Sequence, residues 1–363
     1  MQFEKFNPLE DEMIQVMDEN GEIVKPDLMP ELSDEELLSL YHTMQRSRAV
    51  DNVALNLQRQ GRMLTYAPNL GQEAAQIGTG YALKETDWGV PAFRELGMWL
   101  TKGWSVDKIL QYWYGSEWGS HHGEDIRLLP VSVPISSQFQ HAVGIGMATR
   151  LRGEKDVVMA YTGDGGTSQG DFHEALNFAG VYKTPTVFVI QNNQYAISVP
   201  RAMQTASKNL AVKALAYGMP GILVDGNDIF GVLAVSRWAV EYARENGPVL
   251  IEAYTFRMGA HTTSDDPTKY RTDEDVEPWI AKDPMLRFEK YLMNKGLLKE
   301  DEIEPLKEKM EEEVMEAYRS IEHNSDTPVE EIFKYHYAEL TPQLQDQLDE
   351  YQAYLKGAQS NGQ

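Results

Sequence analysis

The chain has 363 residues, of which 42% are hydrophobic and 25% charged; it is long enough for a large core and has the composition of an ordinary globular enzyme. Its net charge of −23, from 56 acidic against 33 basic residues, argues against nucleic acid or an anionic membrane as the main partner, because both need a basic surface. It has no cysteine, which excludes disulfides, thiolate catalysis and thiolate metal sites.

The N-terminal thirty residues are acidic and lack the basic start and apolar core of a signal peptide. The longest apolar runs, DVVMAYTG and TPTVFVIQ, are too short to span a bilayer. We therefore expect a soluble cytoplasmic protein without a membrane partner.

Residues 1–32 predict an extended N-terminal arm. A helix is expected to begin at Ser33, whose hydroxyl can cap it while Glu36 reaches back, and RQGR at 59–62 is expected to end it. NLGQEAAQIGTGYALK at 69–84 predicts a second helix, rich in small residues.

From about residue 155, apolar runs alternate with amphipathic stretches. The predicted strands are DVVMAYTG, TPTVFVIQ, GILVDGND and PVLIEAYTFR, and the predicted helices are SQGDFHEALNFAGVYK, NLAVKALAYG and IFGVLAVSRWAVEYARENG. This pattern predicts an α/β fold, a parallel sheet covered by helices on both faces, within a domain spanning 33–260. The polar stretch 261–276 predicts a mobile active-site loop, and 277–363 a C-terminal helical region.

Two polar motifs fall where predicted strands end. GDG at 163–165 places Asp164 and glycines before a helix N-terminus, and NN at 192–193 ends the next strand. Ligands of parallel sheets bind at the carboxyl ends of strands, a helix N-terminus favours phosphate, and Mg²⁺ takes carboxylate and neutral oxygen ligands. Together the motifs predict one metal and diphosphate site. Neither a Walker loop nor a Rossmann GxGxxG is present there.

GDGGTSQGDFHEALNFAGVYKTPTVFVIQNNQYAIS resembles the thiamine diphosphate fingerprint of the alpha subunits of the decarboxylating component of 2-oxo acid dehydrogenase complexes. The resemblance extends from about residue 33 to 271 and implies a thiamine diphosphate-binding fold of the diphosphate-type domain. It implies that Asp164, Asn193 and the carbonyl of Tyr195 bind Mg²⁺, with Gly165 and Gly166 against the diphosphate.

Further cofactor contacts are implied by the same resemblance. Ile197 matches the apolar residue that props the cofactor in its bent shape. Phe93 and Arg94 match a Tyr-Arg pair in which the arginine holds the diphosphate. Phenylalanine replaces the tyrosine in this chain, so the tyrosine hydroxyl is absent. VSVPISSQ at 131–138 resembles branched-chain relatives, whose backbone at the positions of Val133 and Ile135 holds the aminopyrimidine. In those relatives the positions of Ser132, Ser137 and Gln138 form a potassium-binding loop, which adds K⁺ as a third candidate cofactor.

Histidines and acids supply the remaining candidates. The resemblance implies that His261 stands over the cofactor, binds near the diphosphate and assists acyl transfer, and that His122 is a second active-site histidine. Asp171 and Glu174 lie one helical turn apart and are interpreted either as an acidic relay between two active sites or as a solvated pair.

The implied activity is decarboxylation of a 2-oxo acid and transfer of the acyl group to the lipoyl arm of a dihydrolipoyl acyltransferase core. One α/β unit leaves no second domain for the glutamate that activates the aminopyrimidine, which in this family lies on a beta subunit. We therefore expect an α₂β₂ heterotetramer. TYAPNLGQEA and GDGGTSQGDF favour pyruvate as substrate, whereas ISVP and 131–138 favour a branched-chain 2-oxo acid. Alternatives are the N-terminal half of a split transketolase and a non-catalytic Mg-diphosphate-binding or regulatory paralogue.

Overall fold

The computed structural model describes residues 3, 6–10, 12–322 and 328–360, with side chains described as far as residue 357. The chain forms two compact units, Met1–Ala317 and Tyr318–Gln363.

The strands of the first unit are β1 Trp88–Val90, β2 Val158–Gly163, β3 Thr186–Asn192, β4 Tyr195–Ala196, β5 Val199–Pro200, β6 Gly221–Asp225 and β7 Val249–Tyr254. A parallel sheet with the strand order β1-β2-β3-β7-β6 forms the centre of this unit. The strands β2, β3 and β6 are continuous apolar runs buried along almost their full length, as a sheet covered on both faces requires. A short antiparallel pair, β4 and β5, follows β3.

The helices are α1 Asp34–Arg59, α2 Glu73–Gly80, α3 Leu96–Thr101, α4 Val106–Tyr114, α5 Ser137–Arg152, α6 Gly170–Tyr182, α7 Arg201–Gln204, α8 Ile229–Asn246, α9 Asp273–Ile280, α10 Pro284–Asn294, α11 Glu300–Glu322, α12 Glu331–Lys334 and α13 Pro342–Ser360. None of the described helices is long and apolar enough to cross a membrane.

Helices cover both faces of the sheet, and the alternation of side chains along each strand explains how. Ala160 of β2 and Phe188 of β3 pack with Phe139 of α5 and Phe172 of α6 in one core cluster. Tyr161, the next residue of β2, points to the other face and donates to Thr79 of α2 at 3.0 Å. The predicted α/β fold is confirmed.

The N-terminal arm is built into the first unit. Ile14 forms a parallel bridge with Val224 of β6, and the buried carboxylate of Asp228 accepts hydrogen bonds from the amides of Val16 and Met17 at 2.6 and 3.0 Å. The arm therefore extends the sheet edge.

Local predictions agree with the structure in part. Ser33 and Glu36 form the predicted capping box of α1, and the second predicted helix is shorter, Glu73–Gly80. The helix predicted at 209–218 is a 3-10 helix, Ala211–Tyr217. Within 261–276 the chain forms a 3-10 turn, Pro267–Lys269, and the first residues of α9.

The second unit consists of the end of α11, α12 and α13. Gln352 donates to Glu330 at 2.6 Å, and the rings of Tyr351 and Tyr354 stack at 6.3 Å. The predicted C-terminal helices are thus present in the described residues.

Candidate functional site

A cavity of about 240 Å³ lies where β2 and β3 end. Because Gly163 pairs with Gln191 in parallel register, the GDG and NN motifs reach the same edge of the sheet. The cavity collects most of the residues predicted from the sequence, namely Phe93, Arg94, Ile135, Gln138, Asp164, Gly165, Gly166, Asn193, Tyr195, Ile197 and His261.

The glycines of the loop after β2 are required by close packing. A Cβ added to Gly166 would lie 2.0 Å from the Thr162 hydroxyl and 2.7 Å from that of Ser136, and one added to Gly165 would lie 2.6 Å from the Cβ of Ala196. A 3-10 turn, Asp164–Ser168, then leads into α6. Bare backbone beside the N-terminus of a 13-residue helix suits a phosphate group.

Three oxygen atoms converge beside this loop. The amide nitrogen of Asn193 donates to Gln72 at 3.0 Å, which leaves Asn193 Oδ1 at 3.1 Å from the Tyr195 carbonyl oxygen and 3.3 Å from Asp164 Oδ1. In an octahedral Mg²⁺ site with ligands at about 2.1 Å, neighbouring oxygens lie about 3.0 Å apart. Turning the Asn193 amide would place a donor against both oxygens and satisfy them without an ion. In the orientation in which Asn193 Oδ1 faces the other two oxygens, the three oxygens have the spacing of ligands around a divalent cation.

Asp164 is the charged member of this set. Its side chain is 2% exposed, and burial raises its pKa to about 6, against the lowering effect of a hydrogen bond from Gln204. Gln204 Nε2 donates to Asp164 Oδ2 at 2.7 Å, so Oδ1 remains directed toward Asn193. A cation at this place would compensate a buried negative charge that is otherwise costly.

Two buried arginines line the cavity. Arg94 donates to the Pro68 carbonyl and to the His261 carbonyl at 2.6 Å. Arg257 donates to the carbonyls of Tyr195 and Ile197 at 3.2 and 2.8 Å, and its Nε is buried without a partner. Burial, reinforced by the charge of Arg257, lowers the pKa of Arg94 to about 10. Two guanidinium groups bonded to these neutral carbonyls provide positive charge for a polyanion.

His261 is held over the cavity in a defined tautomer. Its ring meets Phe93 edge-on at 6.2 Å, and its Nδ1 lies 3.1 Å from Arg94 Nη2. Since arginine only donates, Nδ1 accepts and the proton of the neutral ring is on Nε2. Burial, then the charges of Arg94 and Arg257, lower the pKa of His261 to about 4. At neutral pH His261 is therefore an uncharged hydrogen-bond donor.

The loop at 131–136 and the first residues of α5 support the glycine loop. The buried Ser136 has φ +67° and donates to the Gly166 carbonyl at 2.8 Å. Gln138 Nε2 donates to the carbonyls of Ser132 and Pro134, whereas its Oε1 is buried without a partner. The hydroxyls of Ser132 and Ser137 are 3.0 Å apart. The carbonyl oxygens of Ser132 and Pro134 thus face the side-chain amide of Gln138. If this amide turned, its Oε1 would join them, and the three oxygens could act as ligands of a monovalent cation.

Other predicted residues lie outside the described lining of the cavity. The ring of His122 packs edge-on against Trp104 at 5.2 Å, and its Nε2 is buried without a partner. Val133 is exposed. Asp171 and Glu174 are bridged by the Gln140 amide at 3.2 and 3.3 Å. The roles of these residues stay predictions.

Sequence reasoning missed several residues of the cavity. Arg257 ends the predicted strand PVLIEAYTFR. A positively charged residue at the carboxyl end of a central strand is a sequence signal for a binding site, and it could have identified Arg257. Gln72 and Gln204 contact Asn193 and Asp164 across long stretches of chain, so no local pattern marked them.

Fold and site together define an α/β protein with a cavity at the carboxyl ends of its parallel strands, lined by a glycine loop, converging oxygens and two buried arginines. A profile of the family described as "Dehydrogenase E1 component" matches residues 41–330, and the chain belongs to this family. The family recognised from the sequence is thereby confirmed.

Curated relatives resemble nearly the whole chain. A protein of Acholeplasma laidlawii named pyruvate dehydrogenase E1 component subunit alpha is 46% identical over 343 residues, which cover 94% of this chain and 99% of the relative. The protein of the same name from Mycoplasma genitalium is 40% identical over 345 residues, covering 95% and 96%. The 3-methyl-2-oxobutanoate dehydrogenase subunit alpha of Mycobacterium tuberculosis is 44% identical over 326 residues, covering 90% and 89%.

Proposed function

We propose that the chain is the alpha subunit of an α₂β₂ 2-oxo acid dehydrogenase that binds thiamine diphosphate and Mg²⁺ and acts on pyruvate. The observation that carries the proposal is the cavity in which three converging oxygens lie beside a glycine loop and two buried arginines. A metal-bound diphosphate needs both halves of this arrangement.

Each part of the cavity has a role in binding. Asp164, Asn193 Oδ1 and the Tyr195 carbonyl would hold the metal. Gly165 and Gly166 would let the diphosphate approach the N-terminus of α6, while Arg94 and Arg257 offset its remaining charge.

The exposed lip of the cavity would hold the rest of the cofactor. Ile197 is 54% exposed and has φ +57°, a strained conformation for a β-branched residue. Its carbonyl is fixed by Arg257, so the strain keeps an apolar side chain at the mouth. Ile135, which lines the cavity, and Val133 would present backbone to the aminopyrimidine.

The acids of the cavity support the need for a beta subunit. Among the described lining residues the carboxyl groups belong to Asp164 and Glu95. The two oxygens of Glu95 accept from Gln191 at 2.8 Å and from the Arg94 amide at 3.0 Å. Since both acids are engaged in this chain, the glutamate that activates the aminopyrimidine would come from the partner.

When bound, thiamine diphosphate supplies the nucleophilic carbon and the electron sink for decarboxylation. The protein orients the reactants and places charge and protons. His261, neutral and protonated on Nε2, would donate a hydrogen bond to an oxygen of the reacting 2-oxo acid on which negative charge develops. His122 would act as the second histidine, and the acyl group would pass to the lipoyl arm of the acyltransferase core.

A branched-chain 2-oxo acid is the second candidate substrate, supported by the Mycobacterium tuberculosis relative.

The carbonyls of Ser132 and Pro134 and the unpartnered Oε1 of Gln138 support a K⁺ site. The cytoplasmic location stays a prediction.

The substrate is tested by co-expressing the chain with its beta subunit and measuring kcat/KM for pyruvate and for 3-methyl-2-oxobutanoate with an artificial electron acceptor. We expect a preference for pyruvate. A preference for the branched substrate would reject the pyruvate assignment, and absence of turnover with bound cofactor would favour a non-catalytic paralogue.

A further inference from the structure

A carboxylate stands inside the sheet at a place where hydrophobic residues are expected. Glu252 lies in β7 between β3 and β6, pairs in register with Ile190 and Leu223, and is 1% exposed. Buried carboxylates are costly unless their hydrogen bonds are satisfied. What Glu252 binds therefore indicates why it is there.

Glu252 connects the metal turn to another segment of the chain. One carboxylate oxygen accepts from the side chain of Asn192 at 2.6 Å. The other accepts from the amides of Leu210 and Ala211 at 2.6 and 2.8 Å, where the 3-10 helix Ala211–Tyr217 begins.

Asn192, the first asparagine of the NN motif, passes this constraint to the metal turn. Its Oδ1 accepts from the amide and from the side chain of Gln194 at 3.3 and 3.0 Å. Gln194 has φ +74°, an uncommon conformation that needs support from its surroundings. It lies between Asn193 and Tyr195, which carry two of the three converging oxygens.

We propose that Glu252 is a positioning residue that, through Asn192, fixes the turn from which Asn193 and the Tyr195 carbonyl bind the metal. The inference rests on the proposed function for the identity of the metal and its cofactor. Glu252 contacts neither. It orients the hydrogen-bonding groups behind the ligands, as outer-shell partners do in other metal sites.

The hydrogen-bond pattern defines a substitution test. In Glu252→Gln, the introduced side chain must turn its oxygen toward the backbone amides of Leu210 and Ala211, so its NH₂ group faces Asn192. Asn192 then presents its own NH₂ group either to the introduced glutamine or, when turned, to the backbone amide of Gln194. Two hydrogen-bond donors face each other in either case. In the double variant Glu252→Gln/Asn192→Asp the pattern is complete again. The introduced glutamine accepts from the backbone amides and donates to the introduced aspartate, which also accepts from Gln194.

The experiment measures thiamine diphosphate binding to the purified complex with the beta subunit as a function of Mg²⁺ concentration. We expect Glu252→Gln to raise the Mg²⁺ concentration for half-saturation by about 10- to 100-fold and the double variant to recover most of that loss. Asp228→Asn is the matched control, because Asp228 is also a buried carboxylate that accepts backbone amides. It should lower the melting temperature and leave the Mg²⁺ dependence unchanged.

Hydrogen exchange of residues 192–201 in the cofactor-free complex gives a readout independent of binding. Exchange should accelerate in Glu252→Gln and return toward the wild-type rate in the double variant. Unchanged exchange and unchanged Mg²⁺ dependence in Glu252→Gln would overturn the inference, as would a folded double variant without recovery. Failure of the wild type to bind the cofactor would reject the proposed function, and the exchange rates would still decide whether Glu252 holds the turn.

Discussion

Replacement of Asp164 by asparagine should stabilise the cofactor-free protein and abolish binding of thiamine diphosphate with Mg²⁺. Asp164 is nearly buried, and burial raises its pKa from the usual 3.8 to about 6. A raised pKa means that the folded chain favours the neutral acid. Stability is therefore lost as the pH rises from the unfolded pKa near 3.8 through about 6.

The size of the effect on the free energy of unfolding follows from the pKa shift of Asp164. A difference of about two pKa units costs the folded, ionised state about 3 kcal/mol, as an upper estimate for a site without its cation. Asparagine keeps the shape, stays neutral and can donate to Asn193 Oδ1, which lies 3.3 Å from the replaced oxygen. Above pH 6 the variant should thus be more stable by up to about 3 kcal/mol, and near pH 4 the two proteins should be similar.

Thermal unfolding of the purified protein in chelator at pH 7.5 and pH 4.5 measures this difference, and Asp171→Asn at the start of α6 is the control. Addition of thiamine diphosphate and Mg²⁺ should raise the melting temperature of the wild type and of the control, but not that of Asp164→Asn. A variant that is no more stable than the wild type at pH 7.5 would show that the charge of Asp164 is not destabilising, and a variant stabilised by the cofactor would show that Asp164 is not needed to bind it.

Three further predictions concern the cavity. Arg257→Ala should weaken thiamine diphosphate binding at least about tenfold by removing a charge-assisted contact, whereas Arg237→Ala on the partly exposed side of α8 should not; equal affinities in a calorimetric titration would contradict this role. Gly166→Ala should abolish binding because the new Cβ would lie 2.0 Å from the Thr162 hydroxyl, and adding Thr162→Ala should restore part of it; a single variant with normal affinity would contradict the packing argument. Limited proteolysis should cut within 261–276 in the cofactor-free protein and less in its presence, and equal cutting in both states would count against ordering of this loop by the diphosphate.

The site was accessible from the sequence where its signal is local. Asp164 and Asn193 follow apolar runs whose ends meet because parallel strands share a carboxyl edge, and the capping box of α1 is contained in four residues. These features need only short-range pattern and sheet geometry.

Features that depend on distant partners were missed. The strand β1 has three residues, too few to show a period, and the pairing of Ile14 with Val224 joins segments about two hundred residues apart. The segment Ala211–Tyr217 is a 3-10 helix whose first amide is bound by Glu252, a contact that no local pattern marks.

The proposed cofactor site is measured by calorimetric titration of thiamine diphosphate into the complex of this chain with its beta subunit, with and without Mg²⁺. We expect saturable binding that requires Mg²⁺ and disappears in Asp164→Asn. Binding that is independent of both the metal and Asp164, or no binding at all, would contradict this expectation.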